Sequence, residues 1–151
     1  MKGLEDIKYI LNEQINGYSL LLEKLRKEKE CLISLDTYEI ENLAKEKDII
    51  ILKLRLLEEE RIRITNRLKI ENNLIDDISL QGLSEITGDE FFQKARLKLI
   101  SLCQAISEIN EFNRILIDRS MSLIKNAVAT LGALGVNMPL KNNSSFLSKE
   151  V

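Results

Sequence analysis

The stretch "SLDTYEIENL", residues 34–43, decides how the chain folds. Asp36 is followed three residues later by Glu39, the spacing of a capping box, so Asp36 is placed to accept from the first free backbone N–H groups of a new helix. A helix that starts here ends the one before it, and the apolar residues on either side agree. Upstream, Leu4, Leu11, Tyr18, Leu25 and Leu32 recur every seven residues, with Ile7, Leu21 and Leu35 in a companion series. Downstream, Leu43, Ile50, Leu57 and Ile64 form one seven-residue series, and Ile40, Leu54 and Leu68 lie in another. Two heptad seams joined at a cap predict an antiparallel helical hairpin, with a first helix over about 3–34 and a second over about 37–72.

The register follows if Leu35 faces Ile40. Leu32 then meets Leu43, Leu25 meets Ile50, Leu21 meets Leu54, Tyr18 meets Leu57, Leu11 meets Ile64 and Ile7 meets Leu68. Each seam is interrupted twice, at Gln14 and Glu28 and at Lys47 and Arg61. In this register Glu28 faces Lys47 and Gln14 faces Arg61. Polar interruptions of a seam fix register at some cost in stability; the alternative is that these long side chains snorkel from the seam edge. The second helix also carries surplus apolar residues, Ile49, Leu52 and Leu56, away from the seam, for either the third helix or a partner to cover.

Residues 73–88, with Gly82 and Gly88, read as a connection containing a short helical turn. Thr87 and Glu90 repeat the capping-box spacing and open a third helix over about 89–131. One of its series runs Ala95, Leu102, Ile109, Leu116 and Leu123; the other, Phe92, Leu99, Ile106, Asn113, Ser120 and Ala127, turns polar and small in its second half. Gly132 and Gly135 suit a helix end. The predicted fold is therefore all-α, an elongated antiparallel bundle of three long helices over 1–135, with a flexible tail over 136–151 that keeps Val136, Met138 and Leu140.

Composition narrows the function. The chain has 151 residues, 30% of them charged and 5% aromatic, with a single proline, which suits long uninterrupted helices. Its charges are mixed and sum to -2, and it has no basic stripe, so nucleic acid is not an expected partner. No uncharged apolar run reaches the length of a membrane span, and the N-terminus has no cleavable signal, which predicts a soluble cytoplasmic protein without membrane insertion. Cys31 and Cys103 match no zinc or disulfide spacing. With no histidine, the commonest general base and metal ligand is missing. The best carboxylate pair for magnesium, Glu108 with Glu111, has no facing second pair. No catalytic residue, metal or cofactor is expected.

The order of features resembles the FlgN family of flagellar export chaperones. That pattern has an N-terminal leucine-rich helix, here Leu21, Leu22, Glu23 and Leu25. Its aspartate-capped second helix has an inner lysine and a glutamate–arginine pair, here Asp36, Leu43, Lys47, Leu52, Leu57, Glu60 and Arg61. Its long third helix carries an "N..N..LI" signature, here Asn110, Asn113, Leu116 and Ile117. Arg114 departs from the small residue usual after the second asparagine, and Leu131 or Leu134 replaces an aromatic common after the third helix.

The resemblance implies a binding protein that holds the C-terminal helical segments of the hook-filament junction proteins FlgK and FlgL and passes them to the export gate protein FlhA. It would act as a monomer or homodimer. Client contact is expected at the latter half of the third helix and the tail, at Asn110, Asn113, Ile117, Leu131, Leu134, Val136, Met138 and Leu140. For the two asparagines the residues themselves favour a structural reading, a buried polar layer that fixes how the third helix lies on the hairpin, with client contact and simple exposure as the alternatives. The competing function is a structural coiled-coil adaptor that oligomerises through Ile49, Leu52 and Leu56.

Overall fold

A computed structural model describes residues 1–135. These form four helices: α1 (Leu4–Ser34), α2 (Thr37–Glu71), α3 (Leu80–Thr87) and α4 (Glu90–Ala133). The fold is all-helical, and its three long helices span 31, 35 and 44 residues. The tail from Val136, including Met138 and Leu140, lies outside the described residues.

Only Leu35 and Asp36 separate α1 from α2. Asp36 caps α2 by accepting from the Glu39 amide at 3.2 Å. The reciprocal half of the capping box is not made, because the Asp36 amide donates instead to the Cys31 carbonyl. Leu35 does not face Ile40: it adopts a left-handed conformation, φ +56, and is largely exposed. Such a C-terminal position favours glycine, since a Cβ there crowds the backbone. Leu35→Gly is expected to raise the stability by about 0.5 kcal/mol, the relief of strain exceeding the added freedom of the unfolded chain. Urea denaturation of the two proteins measures it.

The predicted hairpin register otherwise holds. Leu21 and Leu25 pack with Ile50 and Leu54, and Ile7 and Leu11 with Ile64 and Leu68. Beside Leu32, however, stand Ile40 and Ile117. The buried face of α1 is wider than one seam and includes Ile10, Gly17 and Leu22, because α1 has a long neighbour on two sides. It packs along both α2 and α4, whereas the backbones of α2 and α4 stay apart. Of the predicted helical hairpin and long third helix, α1 is thus the middle member. Gly17 marks a close approach: a Cβ there would lie 2.7 Å from Leu54 Cδ2.

Residues 72–79 connect α2 to α3, and the serine at the end of this link, Ser79, caps α3 through the Gly82 amide. Thr87 does not cap α4, as its spacing to Glu90 suggests. It ends α3, its hydroxyl donating to the Leu83 carbonyl at 2.6 Å, and Gly88 turns the chain at φ +69. The cap of α4 is Asp89, which accepts from the Phe91 amide at 2.9 Å and pairs with Lys8 of α1 at 2.8 Å. Next to this junction, Leu83 and Phe92 are fully buried with Ile7, Leu11, Ile64 and Leu68, so all four helices meet in one apolar cluster. That cluster anchors the beginning of α4.

Candidate functional site

A polar layer towards the turn of the hairpin spans the three long helices. Glu28 of α1 pairs with Lys47 of α2 through Oε2, and its Oε1 accepts from Asn113 Nδ2 of α4 at 2.9 Å. Asn113 Nδ2 also donates to the Leu25 carbonyl at 3.0 Å. Glu28 and Asn113 are 1% exposed and Lys47 7%. A buried carboxylate costs several kcal/mol unless its oxygens are engaged, and here one is met by a cation and the other by an amide. The layer therefore ties the two helices of the hairpin and α4 together at one level.

A second polar group lies lower in the hairpin. Gln14 does not meet Arg61 directly. Glu58 sits between them, accepting from Gln14 Nε2 at 2.8 Å and from Arg61 Nε at 2.8 Å. The Arg61 guanidinium, and after it the Gln14 amide, hold the Glu58 carboxyl below the usual carboxylate range. Glu58 lies one turn from Arg61, so the arginine is satisfied within its own helix.

The expected contact residues fall into three groups. Asn113 and Ile117 are buried inside the molecule, and Ile117 is the last buried residue of α4. Asn110 and Leu134 are exposed and Leu131 half-buried. Val136, Met138 and Leu140 are outside the described residues. Asn110 and Asn113 thus part company: one belongs to the polar layer and the other to the surface.

Residues not expected at a site come forward at the far end of α4. The Asn113–Glu28 bond and the Leu32–Ile117 contact show α4 running parallel to α1, and they put the end of α1, Ser34, roughly level with Arg119. From there α4 continues to Ala133, an overhang of about 20 Å at 1.5 Å per residue. The seam that α1 fills lower down continues onto it. Leu116 is half-buried and Ile117 4% exposed, yet seven residues on Leu123 is 70% and Ile124 38% exposed. Adjoining it is a shallow hollow lined by Ile115, Asp118, Arg119, Ser122, Leu123 and Asn126.

The buried carboxylate is consumed by its two partners, and among the described residues no cluster of three or more Asp, Glu, Cys or His stands ready to hold a metal ion. Nor, among them, is any helix long and apolar enough to cross a membrane. Among the described residues the fold is all-helical, and α4 extends past the end of α1 with Leu123 and Ile124 exposed on it. The family model described as FlgN protein matches residues 1–137, and the chain belongs to that family, the flagellar export chaperones. No curated protein and no solved structure matches it.

Proposed function

We infer that the overhang of α4 is where this chaperone holds its client, and that the client is the C-terminal helical segment of the junction proteins FlgK and FlgL, carried in the cytoplasm and handed to FlhA. The observation that carries this reading is the exposure of Leu123 and Ile124 at seam positions whose predecessors, Leu116 and Ile117, are covered by the hairpin. A client helix laid along α4 beyond Ser34 takes the place that α1 vacates and covers the same stripe. Leu131 and Leu134 extend that stripe, and Val136, Met138 and Leu140 follow them in the sequence. Asn110 lies before the overhang, within reach of a client that extends back along α4. Asn113 and Ile117 act from inside, by fixing how α4 is presented.

The chemistry is binding alone. An amphipathic helix contributes apolar contacts at i, i+3, i+4 and i+7, and the entropy lost as it orders offsets part of that gain. Titration calorimetry of the full chain against the C-terminal segments of FlgK and FlgL tests the proposal, beside chains ending at Leu131 and at Arg119. Saturable one-to-one heat is expected with the full chain and no heat with the chain ending at Arg119. Retained heat at Leu131 assigns the contact to the helix, and its loss there assigns it to the tail. Absence of heat with either segment returns the chain to the reading of a structural coiled-coil adaptor, which the exposed Ile49, Leu52 and Leu56 favour.

A further inference from the structure

The side of α2 turned away from α1 is not covered by α4. Ile49, Leu52 and Leu56 are 71%, 53% and 56% exposed there, more apolar surface than an isolated helix face ordinarily leaves to water. Among the described residues Lys45, Asp48, Arg55 and Glu59 make no ion pair, although several neighbouring charges on the same helix do.

Their order is what identifies the missing partner. Residues seven apart share one line along a helix, so the face consists of three adjacent rows. The middle row is Lys45, Leu52 and Glu59; one flank is Asp48 and Arg55; the other is Ile49 and Leu56. Each charged row reverses sign about the level of Leu52. Turning a copy of the helix end for end about that level places Lys45 against Glu59, Asp48 against Arg55, Ile49 against Leu56, and Leu52 against itself. A parallel copy would instead set Lys45 against Lys45 and Glu59 against Glu59, and would place the charged flank, Asp48 and Arg55, opposite the apolar one, Ile49 and Leu56.

We propose that this face binds a second copy of the chain, α2 against α2, antiparallel about a two-fold axis at Leu52. Self-complementarity is what such an axis demands: each patch must contain both halves of every contact. The Asp48–Arg55 contact then occurs twice in the dimer, as do the other two pairs. A single helix face makes a small interface, so the dimer exchanges with monomer at micromolar concentrations rather than being permanent. The antiparallel pairing directs the two α4 overhangs to opposite ends, leaving both open. The inference does not depend on the client, which meets a different helix.

Sedimentation equilibrium of the full chain, from low micromolar to near-millimolar concentration, tests it. The unaltered chain should show a monomer–dimer equilibrium that Leu52→Glu weakens roughly a hundredfold. Asp48→Arg alone and Arg55→Asp alone each set like charges together twice and should weaken it roughly tenfold or more. A mixture of those two variants restores both contacts, and dimers should return in it as heterodimers. All these side chains are exposed, and circular dichroism should show unaltered helix content. A chain that stays monomeric throughout overturns the proposal, and so does a dimer that survives Leu52→Glu or that the mixture fails to recover.

Discussion

Glu28→Lys is expected to lower the melting temperature by roughly 10–20 °C, the equivalent of about 3–5 kcal/mol for leaving a buried charge without its partner. The substitution sets two ammonium groups against each other at a site where Glu28 is 1% exposed and Lys47 7%, and it turns the Asn113 amide donors towards a cation. Adding Lys47→Glu should recover most of the loss. The double variant restores the ion pair with its polarity reversed, the ammonium now on α1 and the carboxylate on α2. Asn113 can then rotate its amide to offer Oδ1, the one buried side-chain atom that has no partner among the described residues. Thermal unfolding followed by circular dichroism reads both steps. If the double variant melts no higher than either single one, the Glu28–Lys47 contact does not set the register.

The second large effect concerns α4, whose two ends should respond in opposite ways to the same kind of truncation. Phe92→Ala removes a fully buried ring from the cluster where all four helices meet, and the lost burial plus the cavity should cost about 3–5 kcal/mol. Leu123→Ala, thirty-one residues further along the same helix, removes a side chain that is 70% exposed and should change stability by no more than about 0.5 kcal/mol. Amide exchange should follow the same gradient, slow near Phe92 and fast beyond Arg119. A large loss of stability in Leu123→Ala would mean that the overhang is packed in solution and closed to a client. A small loss, joined to weaker binding of the junction-protein segments, separates the anchoring end of the helix from its working end.

Much of this arrangement is legible in the linear chain because it rests on local chemistry. Asp36 caps α2 whatever the rest of the protein does, since the amide it accepts from is three residues away. With the turn so located, the seven-residue spacing leaves little choice of register, and Glu28 falls opposite Lys47 as a matter of counting. Spacing misleads where two local options compete. Thr87 and Asp89 both stand before Glu90, and the aspartate caps α4 while the threonine hydroxyl closes α3. Counting along the seam matches Gln14 with Arg61, but Glu58, one turn from Arg61, reaches both.

What the sequence determined by itself was therefore the helices, the hairpin and its register, and the family pattern, all of which depend on contacts between neighbours or between segments joined by a two-residue turn. Only the tertiary structure decided how α4 lies on that hairpin. Asn110 and Asn113 are a single turn apart, close enough in angle that either suits the edge of an apolar stripe. The rotation of α4 that buries Asn113 against Glu28, 85 residues away, and leaves Asn110 outside is set by packing along the whole helix. That packing also sets the axial offset between α1 and α4, which places the end of α1 near Arg119 and leaves Leu123 and Ile124 uncovered. Heptad spacing marks such residues as seam, but an α4 that extends past Ser34 has no further α1 residues to set against them, and this excess shows only once the helices are aligned.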